Sequence, residues 1–91
     1  MQFTWDEAKR RSNARRHGLD FEDVAKVFEG ATVTAEDDRR EYGEQRFRTI
    51  GMLAGDVVSV IHTESLDEIR VISFRKASRH EQALFFSQVS H

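Results

Sequence analysis

Three groups of side chains in this chain are of the types that hold phosphate and move protons. Lys9 to His17 carries five Lys or Arg in nine residues and no acid, and Arg70 to His80 repeats the pattern with Arg70, Arg75, Lys76 and Arg79. Brought together, the two runs would form a concentrated positive surface, the footprint expected for a phosphate backbone, which a net charge of -2 conceals. Between them stands His62, an imidazole at the end of an apolar run, the kind of side chain that titrates closest to neutrality and so suits proton transfer. Guanidinium groups add a planar fork matched to phosphate. The structural alternatives are ordinary: two solvated basic faces that never meet, and a core or edge histidine satisfied by a backbone carbonyl.

Spacing sharpens these choices. Arg70 and Arg75 are five residues apart, so on an ideal strand they face opposite ways, and one phosphate engages both only where a bulge or a strand end intervenes. Arg75 has the richer cationic neighbourhood, in Lys76 and Arg79, whereas Arg70 has Glu68 or Glu44 as an alternative salt-bridge partner. Arg46 and Arg48, two apart, share a strand face and add phosphate contacts, with an Arg46–Glu44 ion pair as the competing use. Lys9 and Arg16 are seven apart on one helix face that can track a nucleic acid or meet a protein partner, with His17 at its end. Trp5 and Phe21 could stack bases, but at helix starts beside apolar positions they read as core anchors.

These residues need elements to position them. Thr4 with Glu7 fits a capping box, so a helix is expected from Trp5 to His17-Gly18, resting thinly on Trp5, Ala8 and Ala14. Asp20 caps a second helix whose Phe21, Val24, Ala25 and Phe28 fall on one face, closed by Gly30. Residues 31–34 read as a short strand and 35–44 as a mobile acidic connection. Strands follow at about 45–53, 56–63 and 69–76, separated by Ala54-Gly55-Asp56 and by a longer turn from Glu64 to Glu68. Ser78 and Glu81 form another capping box ahead of Ala83 to Phe86. The class is α+β: N-terminal helices on a curved antiparallel sheet of about four strands, with a C-terminal helix against it.

Composition narrows the function. Ninety-one residues support a single domain over 1–91, and 38 % hydrophobic with 33 % charged residues argue for a soluble core and no membrane partner. The polar start Met1 to Thr4 has no signal-peptide core, so a cytoplasmic protein is expected. With no Cys, and with His17, His62, His80 and His91 lacking close ligand spacing, neither a metal site nor a cofactor is expected. Seven Phe, two of them adjacent at Phe85-Phe86, suggest an apolar patch left for another chain, the alternative being that both are buried in a groove.

Trp5-Asp6, Lys9, Asn13, Arg16-His17-Gly18, Phe21-Glu22, Ala25 and Val27-Phe28 are followed in order by Glu44-x-Arg46, Gly51, Val60-x-His62-Thr63 and Arg70-x-Ile72-Ser73-x-Arg75-x-Ala77. Together they resemble the BrnT family of type II toxins over nearly the whole chain. The resemblance implies a RelE-like fold and a small metal-independent ribonuclease that stops translation. It also implies an antitoxin of the BrnA type as partner, a hetero-oligomer with it, and DNA contact only through that antitoxin. In such an enzyme His62, Arg70 and Arg75 are the expected catalytic set, and Lys9, Arg16, His17, Arg46, Arg48, Lys76 and Arg79 the expected RNA contacts. Metal-free cleavage needs a group to take the 2′-hydroxyl proton, cations around the phosphorane and a donor to the departing 5′-oxygen. Two positions depart from the family pattern: Arg16 replaces the commoner Lys, and Phe85-Phe86 falls where many relatives carry Tyr, leaving Tyr42 as the only tyrosine. The competing functions are a non-catalytic nucleic-acid or partner-binding module, and an inactive toxin that serves its antitoxin as a co-repressor scaffold.

Overall fold

The computed structural model describes residues 1–39, 41 and 43–89; Arg40, Tyr42, Ser90 and His91 lie outside the described residues. Strand β1 (Gln2–Thr4) leads into helix α1 (Glu7–His17), and a 3-10 turn (Phe21–Asp23) runs into the short α2 (Val24–Phe28). Strands β2 (Val33–Glu36), β3 (Phe47–Leu53), β4 (Asp56–Glu64) and β5 (Glu68–Lys76) precede helix α3 (Arg79–Val89). The sheet order is β1-β5-β4-β3-β2, with β1 parallel to β5 and the other pairs antiparallel. Among the described residues no helix is long and apolar enough to cross a membrane.

The α+β class is as expected, but the sheet has five strands and is mixed. Thr4 lies in β1 and not at a helix cap. Asp6 is the cap instead, accepting the Lys9 N–H at 3.0 Å. A three-residue strand is too short for alternation to reveal it, and Thr4-x-x-Glu7 matches a capping box by spacing alone. The other boundary signals hold. Gly18 ends α1 at φ +72°, a conformation that favours glycine, with its N–H on Ala14 O at 2.9 Å. Asp20 caps the 3-10 turn through the Glu22 N–H at 2.9 Å. β2 extends to Glu36, two residues into the stretch expected as connection.

Each sheet face has its own core. On one, Phe21, Val24 and Val27 pack on Val58, Val60, Val71 and Phe74, with Trp5 set edge-on to Phe21 at 6.3 Å. Each such buried side chain contributes about 1.5–3 kcal/mol over exposure. Packing is close at Gly51, where an added Cβ would meet Val27 Cγ1 at 2.7 Å. On the other face α3 buries Phe85 with Ile50, Val57 and Ala77. Phe86 points away and is 48 % exposed, so the alternative in which both phenylalanines are buried does not hold.

A bulge in β5 decides which residues share a face. His62 pairs with Val71 and Ile61 with Ser73, leaving Ile72 as the extra residue. Val71 and Phe74 therefore both face α2, while Arg70, opposite Thr63, and Arg75, opposite Ser59, both lie on the α3 face. The strict alternation expected of β5 is corrected by this one residue.

Candidate functional site

His62 lies on the opposite side of the sheet from these arginines. It is fully buried, edge-on to Phe28 at 5.4 Å and stacked on Phe47 at 6.0 Å. Its Nε2 shares a 2.7 Å hydrogen bond with Thr49 Oγ1, which in turn lies 2.7 Å from Thr34 Oγ1. Nδ1 is 3.7 Å from Glu64 Oε1, beyond hydrogen-bond range. Burial holds this imidazole below its ordinary pKa, and the Glu64 charge offsets that only partly. The expectation that His62, Arg70 and Arg75 surround one phosphate is therefore corrected: the sheet separates them, and His62 takes the structural role of a core histidine.

The N-terminal helix and the last strand do meet. β5 has β1 beside it only along Glu68, Ile69 and Arg70, so its outer edge beyond that point needs another partner. Asn13 supplies it: Nδ2 donates to Phe74 O at 2.8 Å and to Leu19 O at 3.2 Å, and Oδ1 accepts the Phe74 N–H at 3.1 Å. The amide thus stands in for an adjacent strand. Lys9, Ser12, Asn13 and Arg16 recur at helical spacing on the face turned to β5. With His17 they line a cleft of about 170 Å³ whose other wall is Ile72 and Ser73. That space equals several water molecules. Arg10 is not part of it, being bound to Asp20 at 2.8 and 3.1 Å and to Glu7 at 2.6 Å.

Beyond Ser73 the α3 face carries guanidinium groups in two carboxylate-bridged pairs. Arg48, Ile61 and Ser73 lie in one row across β3, β4 and β5, spanning about 10 Å at the usual strand spacing. At one end Glu44 accepts Arg70 Nη2 at 2.9 and 3.0 Å and Arg46 Nε at 3.3 Å. At the other, Glu81 of α3 accepts Arg48 Nη1 at 2.7 Å and Arg75 Nη1 and Nη2 at 2.8 and 3.0 Å. Burial alone would raise the Glu81 carboxyl. Hydrogen bonds from Arg75, the Ser78 N–H and Arg48 outweigh it and hold the pKa at about 2, so the group is a fixed anion.

Lys9, Arg16 and His17 are thus gathered in one cleft, and Arg46, Arg48, Arg70 and Arg75 on one face. Two expected RNA contacts fall elsewhere. Lys76 pairs with Val58 on the α2 face, its Nζ 3.8 Å from Asp56, which corrects its grouping with Arg75. Arg79 is exposed at the first position of α3. Sequence reasoning gave Glu81 only its capping role, which is real: its N–H meets Ser78 Oγ at 3.2 Å and Oε1 accepts the Ser78 N–H at 2.9 Å. Its second role was signalled by an acid placed three residues into a helix that follows a run of cations. Asn13 was signalled by its place in a polar stripe at i, i+3, i+4 and i+7, where a packed helix face is normally apolar.

Chemically, an ammonium, a guanidinium, an imidazole and two hydroxyls around an open cleft can hold a phosphate and exchange a proton with a group bound to it. Among the described residues, no three His, Asp or Glu side chains converge as a metal site would require. No curated protein matches the chain closely enough to count as a relative. A family model described as the ribonuclease toxin, BrnT, of type II toxin-antitoxin systems matches residues 5–81.

Proposed function

We propose, for a chain that belongs to the BrnT family of ribonuclease toxins of type II toxin-antitoxin systems, that RNA is cut in the cleft between α1 and β5. Lys9 and Arg16 hold the phosphoryl oxygens, and His17 takes the proton from the ribose 2′-hydroxyl. The 2′-oxygen bonds to phosphorus, the bond to the 5′-oxygen breaks, and the leaving oxygen is protonated from solvent as the adjacent cations stabilise its charge. Arg48, Arg70, Arg75 and Arg46 carry the flanking backbone across the sheet face. The observation that supports this reading most is the single cleft in which Lys9, Arg16 and His17 face Ser73, which lies on the same sheet face as Arg75.

In this reading cleavage is metal-independent, acts on cytoplasmic RNA and stops translation. A BrnA-type antitoxin neutralises the toxin and carries the only DNA contact, and its docking surface includes the exposed Leu84 and Phe86 of α3. The experiment is incubation of the purified protein with RNA in EDTA. Fragments ending in 2′,3′-cyclic phosphate are expected, since only attack by the neighbouring hydroxyl leaves that end. RNA binding without cleavage would favour the non-catalytic module, and dependence on added magnesium would contradict the metal-free scheme.

A further inference from the structure

We infer that Glu81 is a positioning residue for RNA, holding Arg48 and Arg75 as a fixed pair whose outward N–H groups meet the phosphate backbone. The inference rests on the functional reading above. The Glu81 side chain is only 3 % exposed, whereas those of Arg48 and Arg75 are 25 % and 31 % exposed, so one carboxylate anchors two guanidiniums from beneath. Both of its oxygens are occupied: Oε1 by Arg75 and the Ser78 N–H, Oε2 by Arg48 and Arg75, with Ser59 Oγ at 3.5 Å. A second hold on Arg75 comes from its Nη1 bond to Lys76 O at 3.1 Å.

Two like charges from β3 and β5, reaching over the intervening β4 to one carboxylate, repel, and each long side chain loses rotamer freedom when ordered. A shared buried anion offsets the repulsion before RNA arrives, so binding need not order the pair. The same carboxylate caps α3, which makes the helix start and the arginine pair one unit. Positioning and plain electrostatics then give opposite signs. Removing an anion beside a polyanion's site should tighten binding if charge alone matters, and should loosen it if Glu81 sets geometry.

The test measures binding of a fluorescent 2′-O-methyl oligoribonucleotide, which cannot be cut, at fixed salt. Glu81→Gln is expected to weaken binding about tenfold despite the added positive charge, the loss of roughly one charge-assisted contact. Glu81→Asp, which keeps the charge but shortens the reach, should weaken it comparably. Equal or tighter binding by folded Glu81→Gln overturns the inference. Should neither Glu81 variant fold, the wild-type protein decides: the Arg75 Nε–Hε resonance must shift on saturation with the oligonucleotide, and an unmoved resonance overturns the inference. If Arg48→Met and Arg75→Met also bind like wild type, the RNA face itself is wrong. If they weaken binding and Glu81→Gln does not, only the role of Glu81 fails.

Discussion

The side-chain amide of Asn13 makes both backbone hydrogen bonds of Phe74, accepting its N–H at 3.1 Å and donating to its carbonyl at 2.8 Å. A helix otherwise exposed along most of its length is thereby fixed to the open edge of β5, and the cleft between them takes its shape. Asn13→Ala should strand a buried N–H and C=O and destabilise the fold by about 2–4 kcal/mol. Asn13→Asp keeps the acceptor, loses the donor and sets a charge near the Phe74 carbonyl, so it should be no better. Urea unfolding measures both, and a loss under about 0.5 kcal/mol would show that α1 is held by other contacts.

His62 makes stability depend on pH. Burial lowers its folded-state pKa, whereas the unfolded chain binds the proton near pH 6.5. The unfolded state therefore takes up more protons as pH falls below about 6.5, and stability drops with a slope approaching about 1.4 kcal/mol per pH unit until the folded pKa is reached. Above about pH 7.5 this contribution is constant. His62→Leu should flatten the slope between pH 5 and 7, and a mutant profile parallel to wild type would show that other groups carry it.

Arg75 and Lys76 are sequence neighbours on opposite sheet faces. Arg75→Met should weaken RNA binding several-fold and reduce the slope of log affinity against log salt by about one. Lys76→Met should change both far less. Equal losses from the two would mean that RNA follows the strand end and not the α3 face.

The parts legible in the sequence were those set by local physics: the Gly18 helix end, the Asp20 cap, the Ser78–Glu81 capping box and the three long strands. The meeting of α1 with β5 was also expected from the two cationic runs, and the family resemblance carried by Arg16-His17-Gly18 through Arg75 agrees with the match over 5–81. What stayed hidden depends on pairing across the chain. No composition or period marks Ile72 as the extra residue, yet that bulge brings Arg70 and Arg75 to one face and leaves His62 on the other. A histidine in an apolar strand reads alike whether buried or poised, because alternation names a face without saying which one faces water. The three-residue β1 was likewise invisible, since the strand it pairs with, β5, lies more than sixty residues away in sequence.

The most direct test compares RNA cleavage per folded molecule by the wild-type, His17→Ala and His62→Leu proteins in EDTA. Loss of a proton-transfer group costs about 10²- to 10⁴-fold in rate. His17→Ala should fall by that much while remaining folded, and His62→Leu should keep wild-type turnover despite lower stability. Full activity in His17→Ala, together with its loss in a folded His62→Leu protein, would contradict the assignment of the cleft and return the chemistry to the buried face.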